Sequence, residues 1–258
     1  MTAALTLSHV TKTYLTKTGP LTALDDLDFE IAEGEFLSVL GPSGCGKSTL
    51  LTLASGLEAP TDGTVLRAGQ PVRRAVTDIG IVFQTDALLE WRRVLENIML
   101  QPQIRGLDMA AYERRARELL DLVGLGDFAG KYPHELSGGM RQRVSICRAL
   151  VHDPSLVLMD EPFGALDALT REQMVMELHQ LWLRTKKSVM FVTHDIQEAI
   201  LLAGRVLVMT PRPGRVAEIV EVDLPYPRTP RTMETPRFIA LVAHVRNLFE
   251  QYGVLKKY

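Results

Sequence analysis

Short apolar runs that end on a glycine or a polar residue recur along this chain, and stretches with helical spacing separate them. Residues 35–40, Glu-Phe-Leu-Ser-Val-Leu, form a largely apolar run that stops at Gly41, the pattern of a buried parallel strand. Residues 47–55 then carry Leu50, Leu51, Leu53 and Ala54 without a breaker, and Gly56 stands where a helix C-terminal glycine belongs. Further strands are expected at 5–14, which roughly alternates, and at 27–31, 64–67, 79–83, 156–160 and 189–192. Pro60 and Gly63 mark one turn, and Ala68-Gly69 another.

From Leu88 the period changes. Residues 90–99 and 109–123 have helical spacing, with Tyr112, Ala116, Leu119, Leu120 and Val123 on one face and dense Arg and Glu opposite. No strand signal returns until Leu156, so an all-helical insertion between two strands is expected. Ser137 is a good N-cap for a helix that runs to about Val151 and is stopped by Asp153-Pro154. A last helix is expected over 237–250, where Phe238, Ile239, Leu241, Val242, Val245, Leu248 and Phe249 share helical spacing.

At 258 residues the chain has room for one large domain, or one domain plus appendages, and its apolar fraction of 46% supports a sizeable core. A formal net charge of -2 argues against nucleic acid as the main partner. Cys45 and Cys147 are far apart, and a reducing cytosol is the expected compartment. The first residues lack a signal-peptide pattern, and no stretch has the apolar length to span a bilayer. Even 196–209 is cut by Gln197, Glu198 and Arg205.

The chemistry begins at Gly41-Pro42-Ser43-Gly44-Cys45-Gly46-Lys47-Ser48-Thr49, which matches G-x-x-x-x-G-K-[ST] between an expected strand and an expected helix. Its glycines let the backbone wrap an anion with N–H groups pointing inward, and the following helix adds the positive end of its dipole. Lys47 would neutralise β/γ-phosphate charge and Ser48 would ligate Mg²⁺, so a nucleoside triphosphate site is expected. Ser137, Gly138 and Gly139 offer a second anion-ready helix N-terminus. One nucleotide needs a single such cradle from its own subunit, so the second demands an explanation.

Six more positions stand out, four of them at strand ends. Asp160 closes an apolar strand and suits Mg²⁺ coordination; Glu161, one residue on, can polarise an attacking water. Gln84 ends another strand, where it is either a solvated terminus or a metal or water contact. His194 follows a third, and is structural or functional by the same argument. Tyr14 either packs or offers its face to an adenine ring. Trp91, flanked by Glu90, Arg92 and Arg93, is either a core anchor or an exposed aromatic at a protein interface.

Taken together these residues resemble the ATP-binding subunit of an ABC transporter over essentially the whole chain. Tyr14 matches the adenine-stacking aromatic, Gly41 to Thr49 the Walker A loop, Gln84 the Q-loop glutamine, and Leu136 to Met140 the LSGGQ signature. Residues 156–160 match Walker B, Glu161 the catalytic glutamate, Ala165-Leu166-Asp167 the D-loop, and His194 the switch histidine. Met140 departs from the family by replacing the signature glutamine. The resemblance implies an α/β fold: a phosphate-loop (RecA-like) ATPase core with an N-terminal antiparallel β-subdomain and an inserted all-helical subdomain. On that reading 1–87 and 155–220 form the nucleotide-binding core, 88–154 the helical subdomain and 221–258 a helical tail of one ABC ATPase domain.

The family also implies ATP and Mg²⁺, with Lys47, Gln84, Glu161 and His194 catalytic, and Ser48, Gln84 and Asp160 at the metal. It implies a homodimer, or a pair with a similar subunit, in which the signature of one copy faces the γ-phosphate held by the other. Membrane permease subunits are implied as partners, with an extracytoplasmic solute-binding protein indirectly, and a peripheral place on the cytoplasmic side of the inner membrane. Residues 82–97 and 208–215 resemble bacterial importers of the nitrate/sulfonate/taurine group, although such a subunit does not itself touch the solute. Alternatives are an importer of another small organic solute, or a soluble ABC-type ATPase acting on nucleic acid or ribosomes. The latter class usually carries a long coiled-coil insertion or two tandem ATPase units, for which 258 residues leave no room. A non-hydrolysing regulator would be expected to lack Glu161 or His194.

Overall fold

The computed structural model describes residues 3–254. In chain order the elements are β1 (Ala3–Thr16), β2 (Gly19–Ala32), β3 (Phe36–Leu40), α1 (Lys47–Ala54), β4 (Asp62–Arg67), β5 (Gln70–Pro71) and β6 (Ile79–Val82). There follow α2 (Val94–Ile98), α3 (Leu100–Ile104), α4 (Met109–Leu122), α5 (Gly138–Leu150), β7 (Leu156–Asp160) and α6 (Ala168–Thr185). The chain closes with β8 (Ser188–Thr193), α7 (Ile196–Leu202), β9 (Arg205–Met209), β10 (Val216–Glu221) and α8 (Pro236–Gln251). Two compact units emerge: residues up to Thr77 together with those from Lys186 onward, and Asp78–Thr185.

The first unit contains an antiparallel sheet, β2-β1-β4-β5, and strands in the order β10-β9-β3-β8. β3 runs parallel to β8 and to β9, and β10 is antiparallel to β9. Every residue of β3 and β8 is buried, which is why both read as largely apolar runs rather than alternating ones. β1 and β2 are longer than their apolar cores suggested, because each extends past 14 and before 27 into a ribbon whose residues are partly exposed. Glu35 ties this unit together at the opposite end of β3. Its carboxylate accepts from Arg205 Nε at 2.6 Å and Nη2 at 2.9 Å, and from the Ala32 N–H at 2.7 Å. That bond raises the Arg205 pKa further.

The second unit contains β6 and β7, parallel and in register from Ile79 opposite Leu156 to Val82 opposite Met159, with α2 to α6. The helical spacing at 90–99 resolves differently from expectation: residues 90–93 are not helical and α2 starts only at Val94. The cause is Asn97, which is fully buried and whose amide holds the preceding turn. Its Oδ1 accepts from the Leu89 N–H at 2.8 Å, and its Nδ2 donates to the carbonyls of Leu89, Arg92 and Arg93. Trp91 is held on this turn and is 75% exposed, which excludes the core-anchor reading.

The tail helix α8 buries Phe238, Leu241, Val245, Leu248 and Phe249, whereas Ile239 points to solvent. Thr235 caps it by accepting from the Phe238 N–H at 3.3 Å.

Candidate functional site

In the first unit the residues expected at a nucleotide gather where parallel strands end. Register pairs Leu40 with Thr193, so the loop that follows β3 and the His194 that follows β8 leave one sheet edge side by side. In α/β sheets ligands bind at this carboxyl edge. The loop takes a cradle conformation, with Gly44 at φ +75° and Gly46 at φ +106°. A methyl added at Gly44 would meet nothing within 4 Å, so that side of the loop is open to a ligand. Lys47 is buried, and its ammonium donates to the Gly41 carbonyl at 2.9 Å and the Pro42 carbonyl at 3.1 Å, arching back across the loop. Ser48 is exposed on the first turn of α1. A buried ammonium beneath an open glycine loop at a helix N-terminus fits a polyphosphate.

His194 is exposed and sits inside a short brace. Thr193 Oγ1 donates to Glu198 at 2.8 Å and accepts from the Asp195 N–H at 3.0 Å. Asp195 then caps α7, accepting from the Gln197 N–H at 2.8 Å and the Glu198 N–H at 3.0 Å. Tyr14, also in this unit, is half-buried. Its hydroxyl donates to Glu58 at 2.8 Å, and the Lys12 ammonium lies 5.0 Å from its ring centroid. The hydrogen bond from Lys12, joined by that from Tyr14, lowers the Glu58 pKa.

In the second unit, Val82 opposite Met159 brings Gln84 and the pair Asp160-Glu161 to one edge. Asp160 and Glu161 are half-buried and Gln84 is exposed. A methyl added at Gly164 would lie 3.5 Å from Gln84 Nε2, so the turn after Glu161 approaches the glutamine closely. Glu161 itself has φ +43°, a left-handed backbone that a glutamate adopts only under surrounding constraint, and such outliers cluster at functional sites. Asp160 and Gln84 offer hard oxygen donors of the kind Mg²⁺ takes, and in the first unit the Ser48 hydroxyl is another. Among the described residues no group of three or more His, Cys, Asp or Glu could hold a metal alone.

Ser137 and Gly138 are exposed at the N-terminus of α5. The Ser137 hydroxyl accepts from the Met140 N–H at 3.3 Å, a bond to backbone that does not depend on the side chain at 140. Gly139 is buried, where a methyl would stand 2.9 Å from Thr170 Cγ2. Sequence reasoning missed what links this helix to Gln84. Arg141 Nε donates to Asp86 Oδ2 at 2.8 Å, and Arg148 donates to the carbonyls of Asp86 and Ala87, both at 2.7 Å. Burial lowers the Arg148 pKa against the pull of Asp86. The two arginines lie seven residues apart, on one helix face, and that spacing was the only signal the sequence carried.

The description of the ABC transporter family matches residues 24–164. An uncharacterized ABC transporter ATP-binding protein of Methanocaldococcus jannaschii is 45% identical over 234 residues, covering 91% of this chain and 88% of its own. The taurine import ATP-binding protein TauB of Rhizobium johnstonii is 51% identical over 201 residues, covering 78% of this chain and 77% of its own. Among solved structures, a dimeric bacterial ABC transporter cassette superposes with a TM-score of 0.75 at 35% identity, covering 85% of this chain and 99% of that one. A post-hydrolysis state of an ATP-binding cassette, bound to ADP and Pi, superposes with a TM-score of 0.74 at 34% identity and the same coverage. With the family matched over more than half of its residues, the chain belongs to the ABC transporter family, as an ATP-binding and ATP-hydrolysing subunit that powers transport.

Proposed function

We propose that this subunit drives an importer of a small anionic solute of the nitrate/sulfonate/taurine kind, by ATP-dependent closure of two copies. The observation that carries the closure is the second anion-ready helix N-terminus, with Ser137 and Gly138 exposed and the serine hydroxyl already set as a cap. The likeness to taurine import ATP-binding proteins, at 47–51% identity, supports the solute class. A different small organic solute remains the second reading, since this subunit does not meet its cargo.

In the proposed site Lys47 and the N–H groups of residues 41–49 hold the β- and γ-phosphates, and Tyr14 stacks on the adenine. Ser48, Asp160 and Gln84 would hold Mg²⁺, whose charge would offset that of the phosphates. Glu161 polarises the attacking water and His194 contacts the γ-phosphate side. Ser137, Gly138 and Gly139 reach the nucleotide held by the other copy. The partners are membrane permease subunits on the cytoplasmic face of the inner membrane and, through them, an extracytoplasmic solute-binding protein. Among the described residues no helix is long and apolar enough to cross a membrane.

Light scattering with ATP on a Glu161→Gln background tests closure. The expected mass is that of two chains, and adding Ser137→Arg should return it to one while each copy still binds ATP. A single-chain mass before Ser137→Arg is added contradicts the proposal.

A further inference from the structure

The sheet edge that carries the phosphate loop carries a second loop beside it. β3 pairs Leu40 with Val208, so the hairpin of residues 210–215, which joins β9 to β10, leaves the same edge as residues 41–49. The hairpin turns back behind the phosphate loop. Gly214 N–H donates to the Ala23 carbonyl at 2.9 Å and its carbonyl accepts from the Asp25 N–H at 2.9 Å, making a parallel bridge with Leu24. Arg215 Nε donates to Asp25 Oδ2 at 2.9 Å, and Thr210 closes the hairpin with bonds to Arg215 at 3.0 Å.

Two glycines report how tightly the phosphate loop is held here. A methyl at Gly214 would overlap the carbonyl oxygen of Cys45 and lie 2.8 Å from Met209 Cε. Gly214 is not among the residues at positive φ, so close approach alone, rather than backbone conformation, demands a glycine. A methyl at Gly46 would meet Leu24 Cδ2 at 2.5 Å and the Ala23 carbonyl at 3.0 Å. The Cys45–Gly46 peptide is thus clasped between β2 and the hairpin.

That clasp has a direction. In a trans peptide the carbonyl and the next N–H point to opposite sides. With the Cys45 carbonyl turned onto Gly214, the Gly46 N–H points away from the hairpin. It has no backbone acceptor among the described residues. We propose that Gly214, held by the Asp25–Arg215 pair, is a positioning residue that aims the Gly46 N–H at a nucleotide phosphate. The proposal rests on the reading of residues 41–49 as the phosphate cradle.

Three variants test it, each measured for ATP affinity by fluorescent-nucleotide displacement and for melting temperature without nucleotide. Gly214→Ala should weaken ATP binding roughly tenfold to a hundredfold, the effect of losing one hydrogen bond to a charged acceptor. Arg215→Gln breaks an exposed ion pair outside the core and should weaken ATP binding several-fold with little change in melting. It carries the test if Gly214→Ala does not fold. Lower melting with unchanged affinity of the folded protein means that the hairpin merely packs, and overturns the proposal. Lys47→Ala separates the two levels. If it loses ATP binding while the hairpin variants keep native affinity, the clamp is wrong and the cradle stands; if it binds ATP as the native chain does, the cradle reading itself fails.

Discussion

Arg228 is a fully buried charge in the first unit, and replacing it tests how the tail is held. Its side chain is fully buried and lies 4.1 Å from the Tyr226 ring centroid. Nη1 donates to the carbonyls of Ile200 at 2.7 Å, Leu201 at 3.2 Å and Ala203 at 2.8 Å; Nη2 donates to those of Val222 at 3.3 Å and Leu224 at 3.0 Å. The first three belong to the end of α7, where a helix has no partners of its own for its last carbonyls. Burial lowers the Arg228 pKa, with Tyr226 opposing. In Arg228→Met the apolar stem survives, but the carbonyls lose their donor at about 1–3 kcal/mol for each one left unsatisfied in a buried site. Relief of guanidinium desolvation offsets part of this, leaving a net loss of about 3–5 kcal/mol. For a chain of this size that is a fall in melting temperature on the order of 10 °C. Arg228→Lys should recover little, because one ammonium with three donors cannot span the carbonyl set. Circular dichroism melting without nucleotide provides the measurement, with ATP affinity at low temperature as the control. A fall of less than about 2 °C would refute the reasoning, since it falls well short of the lower energy bound.

Two other expectations follow from exposure and from burial. Trp91→Ala should leave ATPase of the isolated subunit and its melting unchanged, because the ring is 75% exposed, yet lower solute uptake by the assembled transporter in vesicles; equal loss of both would contradict an interface role. His152 is buried, with Nε2 3.1 Å from the Ile79 carbonyl, and its pKa is lowered chiefly by burial. The unfolded chain takes up this proton first as pH falls, so stability present above the ordinary histidine pKa is lost below it. His152→Gln should therefore narrow the difference in melting temperature between about pH 7.5 and about pH 5.5, and an unchanged difference counts against this histidine as the cause.

The phosphate loop, the Asp160-Glu161 strand end and the Ser137 cap were legible in sequence because each is contiguous, with its chemistry and its flanking strand or helix within a few residues. Strands β3 and β8 were legible for a related reason: burial on both faces leaves a largely apolar run. The outer parts of β1 and β2 were not, since a solvated ribbon has no apolar period to read. Trp91 is ambiguous in sequence because its exposure depends on the turn that the buried Asn97 amide holds. Three further devices join residues far apart in the chain: Arg141 and Arg148 on the segment after Gln84, Arg228 on the end of α7, and Gly214 behind Cys45. Each partner is an unremarkable arginine, glycine or backbone carbonyl until the fold brings them together.

The central claim is that this chain hydrolyses ATP at a site whose water is activated by Glu161. Steady-state phosphate release by purified wild type and Glu161→Gln, alongside ATP affinity for both, tests it most directly. Loss of the group that positions or deprotonates water should lower turnover by about 10² to 10⁴, while ATP affinity stays at the native value. Near-native turnover in Glu161→Gln would contradict the account.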